Sequence, residues 1–184
     1  KDLDKRPALL KPEDAKKLLA DAGYPNGFEV GMDCPNDRYV NDEKICQAVV
    51  AMLAKIGIKV NLRAQTRSLY FAKILRKGDF KPGETSFYML GWSPAGTYDV
   101  HNVFEQLIQT PSAATKKGLF NAGGYSNPAV DKLADSIEQE TDKTKRNAMI
   151  KEAFDLHSAD IGHLPLHQQA LAWGLNKKVD LVQL

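Results

Sequence analysis

The stretch GFEVGMDCPNDRYVNDEKICQAVVAMLAKIGIKVNL, residues 27–62, decides the fold because it holds two strand patterns separated by one helix pattern. Apolar and polar residues alternate in its first part, which indicates a strand with one buried face. The expected buried positions are Phe28, Val30, Met32 and Cys34. Alternation returns after Gly57 and predicts a second strand through Ile58, Val60 and Leu62.

The segment between these strands is predicted to be a helix that Asn41 caps and Gly57 ends. Its apolar residues recur three and four positions apart, as the buried stripe of a helix requires. They are Ile45, Ala48, Val49, Met52, Leu53 and Ile56.

Helices and strands continue on both sides of this unit. A helix over residues 12–22 precedes it, with Pro12 in its first turn and Gly23 as its stop. A helix near 68–76 follows it. The continuous apolar run 87–90 then predicts a strand that is covered on both faces at the centre of a sheet.

The rest of the chain is predicted to be mainly helical before strands return. The predicted segments are a short helix near 99–108, a surface loop over 110–124, a helix opened by Asn127 and Pro128, a helix over 142–159, and late strands at 164–166 and 170–173. This order places the chain in the α/β class, with a mixed sheet flanked by helices.

Composition limits the classes of protein that fit. The chain has 184 residues, of which 43% are hydrophobic and 26% charged, enough for one domain with its own core. A net charge of +2 argues against nucleic-acid binding, which needs a concentrated basic face. No stretch approaches the ~20 apolar residues of a membrane span. The sequence starts at Lys1 without a signal peptide and ends in a strand-like pattern, so residues 1–184 are expected to be a single domain cut from a longer chain.

The two cysteines leave two interpretations open. Cys34 and Cys46 are either small buried thiols or a disulfide that closes a short loop and requires an oxidising compartment. A metal site is not expected, because the pair lacks CxxC spacing and neighbouring histidines.

Catalytic motifs are missing from the sequence: it contains no GxSxG, GxxxxGK[ST] or GxGxxG. Pro165 separates His163 from His167 and prevents a helical zinc-protease site. His157 lies on the apolar face of its helix, which favours a hydrogen-bonded core or boundary histidine. We therefore predict no catalytic residue, no metal and no cofactor.

Two loops follow predicted strand ends, where open α/β sheets bind ligands. The loops are residues 34–41 and 91–99, and their candidate ligand-binding residues are Asn36, Arg38, Tyr39, Gly91, Trp92, Ser93 and Asp99. Aromatic rings, a guanidinium, a carboxylate and amides suit a polar or zwitterionic ligand. Core packing of Trp92, a solvated Arg38 and a backbone turn at Gly91 are the alternatives.

Several segments resemble the second lobe of the peptide/nickel/oligopeptide class of ABC-transporter solute-binding proteins. They are the A-K-x-L-L-x-x-A-G-Y helix at 15–24, the strand start at 27–30, the helix-to-strand join at 53–60, the Gly91-Trp92 strand end, the helix opening at 125–128 and the strand at 164–166. Their order and spacing match over essentially the whole chain.

This resemblance implies a periplasmic-binding-protein-like lobe of a two-lobed protein about three times as long, which closes on its ligand by hinge motion. It implies a place in the periplasm, or a lipid anchor outside the cell. The implied partners are a small peptide or peptide-like solute, the missing N-terminal lobe, and the permease and ATPase subunits of an ABC importer.

The resemblance also implies roles for single residues. In peptide-binding members an aspartate shortly after the Gly-Trp pair holds the peptide's amino group, but Ala95 stands there and Asp99 is the nearest carboxylate. Arg38 lies about where a basic residue holds the peptide carboxylate in dipeptide binders. A stand-alone interaction or sensory module, and less favourably a hydrolytic enzyme, are the alternative functions.

Overall fold

The computed structural model describes residues 11–75, 85–94, 96–170 and 174–178. In chain order its elements are α1 (Pro12–Asp21), β1 (Phe28–Pro35), α2 (Asp42–Ala54), β2 (Ile58–Gln65), α3 (Arg67–Ile74), β3 (Phe87–Tyr88), α4 (His101–Val103) running into a π-helical turn (Phe104–Ile108), α5 (Pro128–Gln139) and α6 (Lys143–Ala159). The predicted α/β class is confirmed. No helix in these ranges has the length and apolar character to cross a membrane.

The sheet has the strand order β2-β1-β3, and both strand pairs are parallel. Its longer pairing runs from Phe28 opposite Ile58 to Pro35 opposite Gln65. Parallel neighbours need a crossover, and α2 supplies it between β1 and β2 while α3 lies between β2 and β3 in the chain. The carboxyl ends of the three strands therefore lie at one edge of the sheet.

β1 is the strand that is covered on both faces, and residues 31–35 are all buried. On one face Met32 and Cys34 pack against Cys46 of α2. On the other face the Asp33 carboxylate accepts hydrogen bonds from Lys73 Nζ of α3 at 2.7 and 2.8 Å. The single buried face predicted for β1 is therefore wrong. The central position predicted for 87–90 stays a prediction, because the strand-like segments 171–173 and 179–184 lie outside the described residues. In the described part of the sheet β3 is an outer strand of two residues, since β1 pairs on both sides.

The predicted apolar stripe of α2 is only partly correct, since Val49 packs on the sheet while Ala48 and Met52 are exposed. The Cys34–Cys46 disulfide joins α2 to the end of β1, so the open question about the cysteines is answered by a bond. Val49 and Val50 pack on the same side, while Met52 is 62% exposed. Asn41 adopts a left-handed conformation with φ of 59° and its side chain makes no capping bond, so the predicted cap is also wrong.

The α5–α6 hairpin follows the sequence pattern closely. The predicted cap Asn127 accepts a hydrogen bond from the N–H of Ala129 at 2.9 Å. Asp142 accepts from the N–H groups of Thr144 and Lys145 at 2.9 and 3.0 Å. The buried core that the hairpin shares with the π-helical turn comprises Phe104, Ile108, Val130, Ala134, Ile137 and Ala153.

The end of the chain departs from the prediction. Leu164 and Leu166 form no strand and are 75% and 54% exposed, because no partner strand reaches them among the described residues. The predicted strand residues 171–173, the terminal pattern 179–184 and Ala95 lie outside the described residues. The predicted surface loop 110–124 is not wholly at the surface, since Asn121 and Ala122 are buried.

Candidate ligand-binding cleft

An open cleft of about 630 Å³ lies at the edge where the three strands end. Three loops and α3 with the residue that follows it form its wall. The lining residues are Arg38, Tyr39, Arg67, Ser68, Phe71, Leu75, Leu90, Gly91, Trp92, Ser93 and Phe120. The cleft thus occupies the position where open α/β sheets bind ligands.

The loop after β1 is held in place by the buried carboxylate of Asp42. One oxygen accepts hydrogen bonds from the N–H groups of Arg38 and Tyr39 at 2.9 and 3.0 Å, and the other from Glu43 at 2.9 Å. Burial acts to raise the pKa of Asp42, but the hydrogen bonds from the backbone N–H groups of Tyr39, Arg38 and Glu43 keep that pKa below its ordinary value. Asp42 therefore stays charged and fixes the backbone of two cleft residues.

The same loop is tied to both neighbouring segments of the cleft. The Asp37 carboxylate accepts a hydrogen bond from the backbone N–H of Arg67, the first residue of α3. The Tyr39 hydroxyl donates to the carbonyl oxygen of Gly91 at 3.1 Å. These bonds join the ends of all three strands through one loop.

The structure gives a more specific reason for a glycine at position 91 than the backbone turn considered from the sequence. A Cβ atom at this position would lie 2.8 Å from Cε1 of the Tyr39 ring, closer than such contacts occur. The absence of a side chain at Gly91 therefore allows the Tyr39 ring to lie on the backbone that follows β3.

Trp92 is both packed and part of the cleft wall. Its indole N–H donates to Asn102 Oδ1 at 2.9 Å, and its ring lies 4.8 Å from the Phe120 ring, centre to centre. Because one side of the indole is fixed in this way, the ring presents a rigid apolar surface to the cleft.

Five of the seven candidate residues line the cleft, and two do not. The side chain of Asn36 is exposed outside the lining, while its backbone N–H donates to the Gln65 carbonyl. Asp99 lies in a separate concavity, where its two carboxylate oxygens accept bonds from Arg146 at 2.8 and 2.9 Å. The Arg146 guanidinium and then the His101 N–H lower the pKa of Asp99. Asp99 thus joins the loop over 91–99 to α6 through its ion pair with Arg146.

α3 and the long loop over 110–124 also contribute to the cleft, although neither was among the predicted ligand-binding segments. Arg67, Ser68 and Phe71 follow β2, whose end lies beside the end of β1, so the rule that singled out two loops could have indicated this third one. Phe120 carried no such signal, because it lies in a segment that reads as a polar surface loop.

The groups in the cleft wall are of the kinds that contact a bound ligand. It combines aromatic faces, two guanidinium groups and two serine hydroxyls, and its described lining contains no Asp, Glu, His or Cys. His157 is buried outside the cleft and contacts the half-buried His163, their Nε2 and Nδ1 atoms 2.9 Å apart, in agreement with the core or boundary interpretation. A concave, mainly apolar wall with a few fixed polar groups is typical of ligand-binding sites.

Comparison with known proteins identifies the family of this chain. The chain belongs to the bacterial extracellular solute-binding proteins of family 5, because residues 1–115 match the family described as "Bacterial extracellular solute-binding proteins, family 5 Middle".

The chain is similar to the glutathione-binding protein GsiB of Pectobacterium atrosepticum, with 31% identity over 91% of this chain and 32% of that protein. Its structure is similar to DppA from Helicobacter pylori in complex with the peptide STSA, with a TM-score of 0.71 and 27% identity over 90% of this chain and 30% of that chain. It is also similar to AgaA in complex with agropinic acid from A. tumefaciens R10, with a TM-score of 0.61 and 27% identity over 79% and 27% of the two chains. The chain spans about a third of the length of the curated relatives it matches.

Proposed function

We propose that residues 1–184 form one lobe of a solute-binding protein that captures a peptide or peptide-like solute for an ABC importer. The observation that carries the proposal is the cleft at the ends of three parallel strands, lined by aromatic rings and guanidinium groups. The chain's membership of solute-binding protein family 5 supports the same function.

The cleft is one wall of a larger site under this proposal. It is open to solvent, and relatives are about three times as long as this chain, which covers 32% of one of them. A second lobe supplies the opposite wall, and hinge closure brings the two together around the solute. We expect the 184-residue chain to fold alone but to bind solute much more weakly than the full-length protein does.

The names of similar proteins suggest the first solutes to try. GsiB is a glutathione-binding protein, and the structure of DppA contains a peptide. Glutathione and a four-residue peptide of sequence STSA are therefore suitable probes. In this proposal Arg38 holds a carboxylate of the solute, while Tyr39 and Trp92 contact its apolar parts.

The proposed setting is outside the cytoplasm, either in the periplasm or anchored by lipid to the cell surface. The Cys34–Cys46 disulfide supports this, because such bonds persist in oxidising compartments. The partners are the permease and ATPase subunits of the importer, and the protein holds its solute without transforming it.

Native mass spectrometry of the full-length protein tests the proposal. We expect a bound small solute in the wild type and its loss when Arg38→Ala and Trp92→Ala are combined. Lys132→Ala, an exposed position on α5 away from the cleft, is the control and should keep the solute. A full-length protein that carries no solute and gives no binding heat with either probe would contradict the proposed function.

A further inference from the structure

Two guanidinium groups in the cleft wall are available to a ligand. Arg38 and Arg67 both line the cleft and are both exposed. Neither side chain has an ion pair or hydrogen bond with any of the described residues. The Arg38 guanidinium lies over its neighbour's ring, 4.9 Å from the centre of Tyr39, a contact that orients the group and leaves its N–H donors free for an acceptor.

The carboxylates of Asp37, Asp42 and Asp99 are bound to other groups. Asp42 accepts from the backbone N–H of Arg38, and Asp37 from the backbone N–H of Arg67. Asp99, the remaining acidic candidate, is paired with Arg146 in a different concavity. The carboxylates thus position the backbone of the two arginines while the guanidinium groups face the cleft, whose described lining has no negative side chain.

We propose that this cleft wall selects solutes with two carboxylate groups, one held by Arg38 and the other by Arg67. The inference rests on the proposed function and deepens it, because a lobe that binds any peptide needs only one cation for the single terminal carboxylate. A planar guanidinium binds a carboxylate through two parallel N–H···O bonds, which gives each arginine a geometric preference as well as a charge.

The rest of the wall fits a solute of this kind. Ser68, which follows Arg67 in the chain, adds a hydroxyl to the lining. Phe71, Trp92 and Phe120 add apolar surface to the same wall, which suits the carbon chain that separates two carboxylates. The described lining has no carboxylate that could bind an ammonium group of the solute. Selection by this wall therefore depends on the anionic groups of the solute.

Calorimetric titration of the full-length protein with three tripeptides tests this assignment. The probes are glutathione, with two carboxylates, glutathione monoethyl ester, with one, and trialanine, also with one. We expect glutathione to bind on the order of ten- to one-hundredfold more tightly than either of the others, the effect of one charge-assisted contact.

Variants at Arg67 separate this role from a general one. Arg67→Ala should remove the preference for glutathione while changing the affinity for trialanine by less than about threefold, the scatter expected where a contact is not used. Arg67→Lys should keep part of the preference, since it retains the charge without the fork. Lys44→Ala, an exposed cation on α2 outside the cleft, is the matched control and should leave all three affinities unchanged.

The outcomes distinguish this inference from the function on which it rests. Equal affinity for glutathione and trialanine, or an equal loss of both in Arg67→Ala, overturns the two-carboxylate assignment and leaves a peptide-binding lobe. Absence of binding by all three tripeptides overturns the proposed function together with the inference. A far-ultraviolet circular dichroism spectrum identical to that of the wild type excludes misfolding of the variants as the cause.

Discussion

The cleft edge of the sheet and the α5–α6 hairpin are both held by carboxylates bound to backbone N–H groups, but over different distances. In the hairpin, Asp142 binds N–H groups two and three residues ahead of it, within its own helix. At the cleft, Asp42 binds N–H groups that precede its helix, and Asp37 binds the start of a helix 30 residues away. The start of α6 is therefore stabilised by contacts within one helix, whereas the cleft is stabilised by contacts between separate segments of the chain.

The two regions also differ in what they bury. The hairpin core consists of apolar side chains, while the sheet buries the ion pair of Asp33 and Lys73 beneath the cleft. A buried pair fixes α3 at one position on the sheet, because either charge left alone is unfavourable. The predictions below test whether the two regions depend on these different interactions.

The largest effect is expected for Lys73→Met, which leaves the buried Asp33 carboxylate without its cation. We expect the free energy of unfolding of the 184-residue chain to fall by about 3–5 kcal/mol in urea denaturation. Lys59→Met breaks an exposed pair with Glu29, in which the lysine side chain is 71% exposed, and should lower the free energy of unfolding far less than Lys73→Met does. Similar costs for both variants would show that the buried pair does not hold the sheet and α3 together.

The hairpin should respond to loss of apolar volume. Ile137 is fully buried between α5 and α6, and Ile137→Ala should lower the free energy of unfolding by about 3 kcal/mol. The same measurement on Leu164→Ala, which truncates a side chain that is 75% exposed, should change it by less than about 0.5 kcal/mol. In the full-length protein Ile137→Ala should leave solute affinity unchanged. A loss of affinity would mean that the hairpin contributes to the cleft.

Matched variants of the two N–H-binding carboxylates test the comparison itself. Asp42→Ala and Asp142→Ala should each lower the free energy of unfolding by about 1–2 kcal/mol. In the full-length protein only Asp42→Ala should weaken solute binding, because it releases the backbone of Arg38 and Tyr39. Calorimetry with glutathione measures this difference, and equal affinities in the two variants would contradict it.

The pH dependence of stability should arise partly from the contact between His157, in the last turn of α6, and His163. Burial lowers the pKa of His157, opposed by Asp160, and burial and His157 lower the pKa of His163. Tyr125 is a further titratable group at this contact, since its ring packs on His157 and its hydroxyl donates to Asp160 at 2.6 Å. Because both folded pKa values lie below the ordinary value of about 6.5, the unfolded chain binds more protons as the pH falls through that region.

Stability from these neutral histidines should therefore be complete above a pH of about 6.5 and decline as the pH falls below it. Urea denaturation across this range should show the decline, and His157→Gln should reduce it. His167→Gln, at an exposed position, is the control and should not alter the decline. A His157→Gln profile that matches the wild type would exclude the pair as its source.

The smallest effect is expected at Asp99. Its pairing with a partly exposed Arg146 predicts that Asp99→Asn lowers the free energy of unfolding by less than about 1 kcal/mol. Solute affinity of the full-length protein should change by less than about twofold, within the scatter of a residue that makes no contact. A tenfold loss of affinity would restore Asp99 to the ligand site and contradict its placement in the second concavity.

The same contrast explains how much could be predicted from sequence. The elements of residues 27–62, the helix opening at Asn127 and Pro128, and the helix over 142–159 depend on short-range spacing, so alternation and helix-start rules identify them. The cap at Asn41 was assigned by the same rules and is wrong, because the residue after it binds the preceding loop instead.

The candidate site divides in a similar way. Strand ends are visible in the sequence, and they led to Arg38, Tyr39 and Trp92. The pairing of Asp99 with Arg146 joins residues 47 positions apart, and Phe120 reaches the cleft from a polar segment. Neither contact leaves a periodic or local signal, since each depends on how separate segments pack.

Hydrogen–deuterium exchange of the full-length protein, with and without saturating glutathione, tests most directly whether the strand-end cleft is the ligand wall. Protection on binding should fall on residues 37–41, 67–71 and 90–93, while α5 and α6 exchange as before. Protection confined to α5 and α6, or absent from all three cleft segments when calorimetry shows binding, would contradict the account.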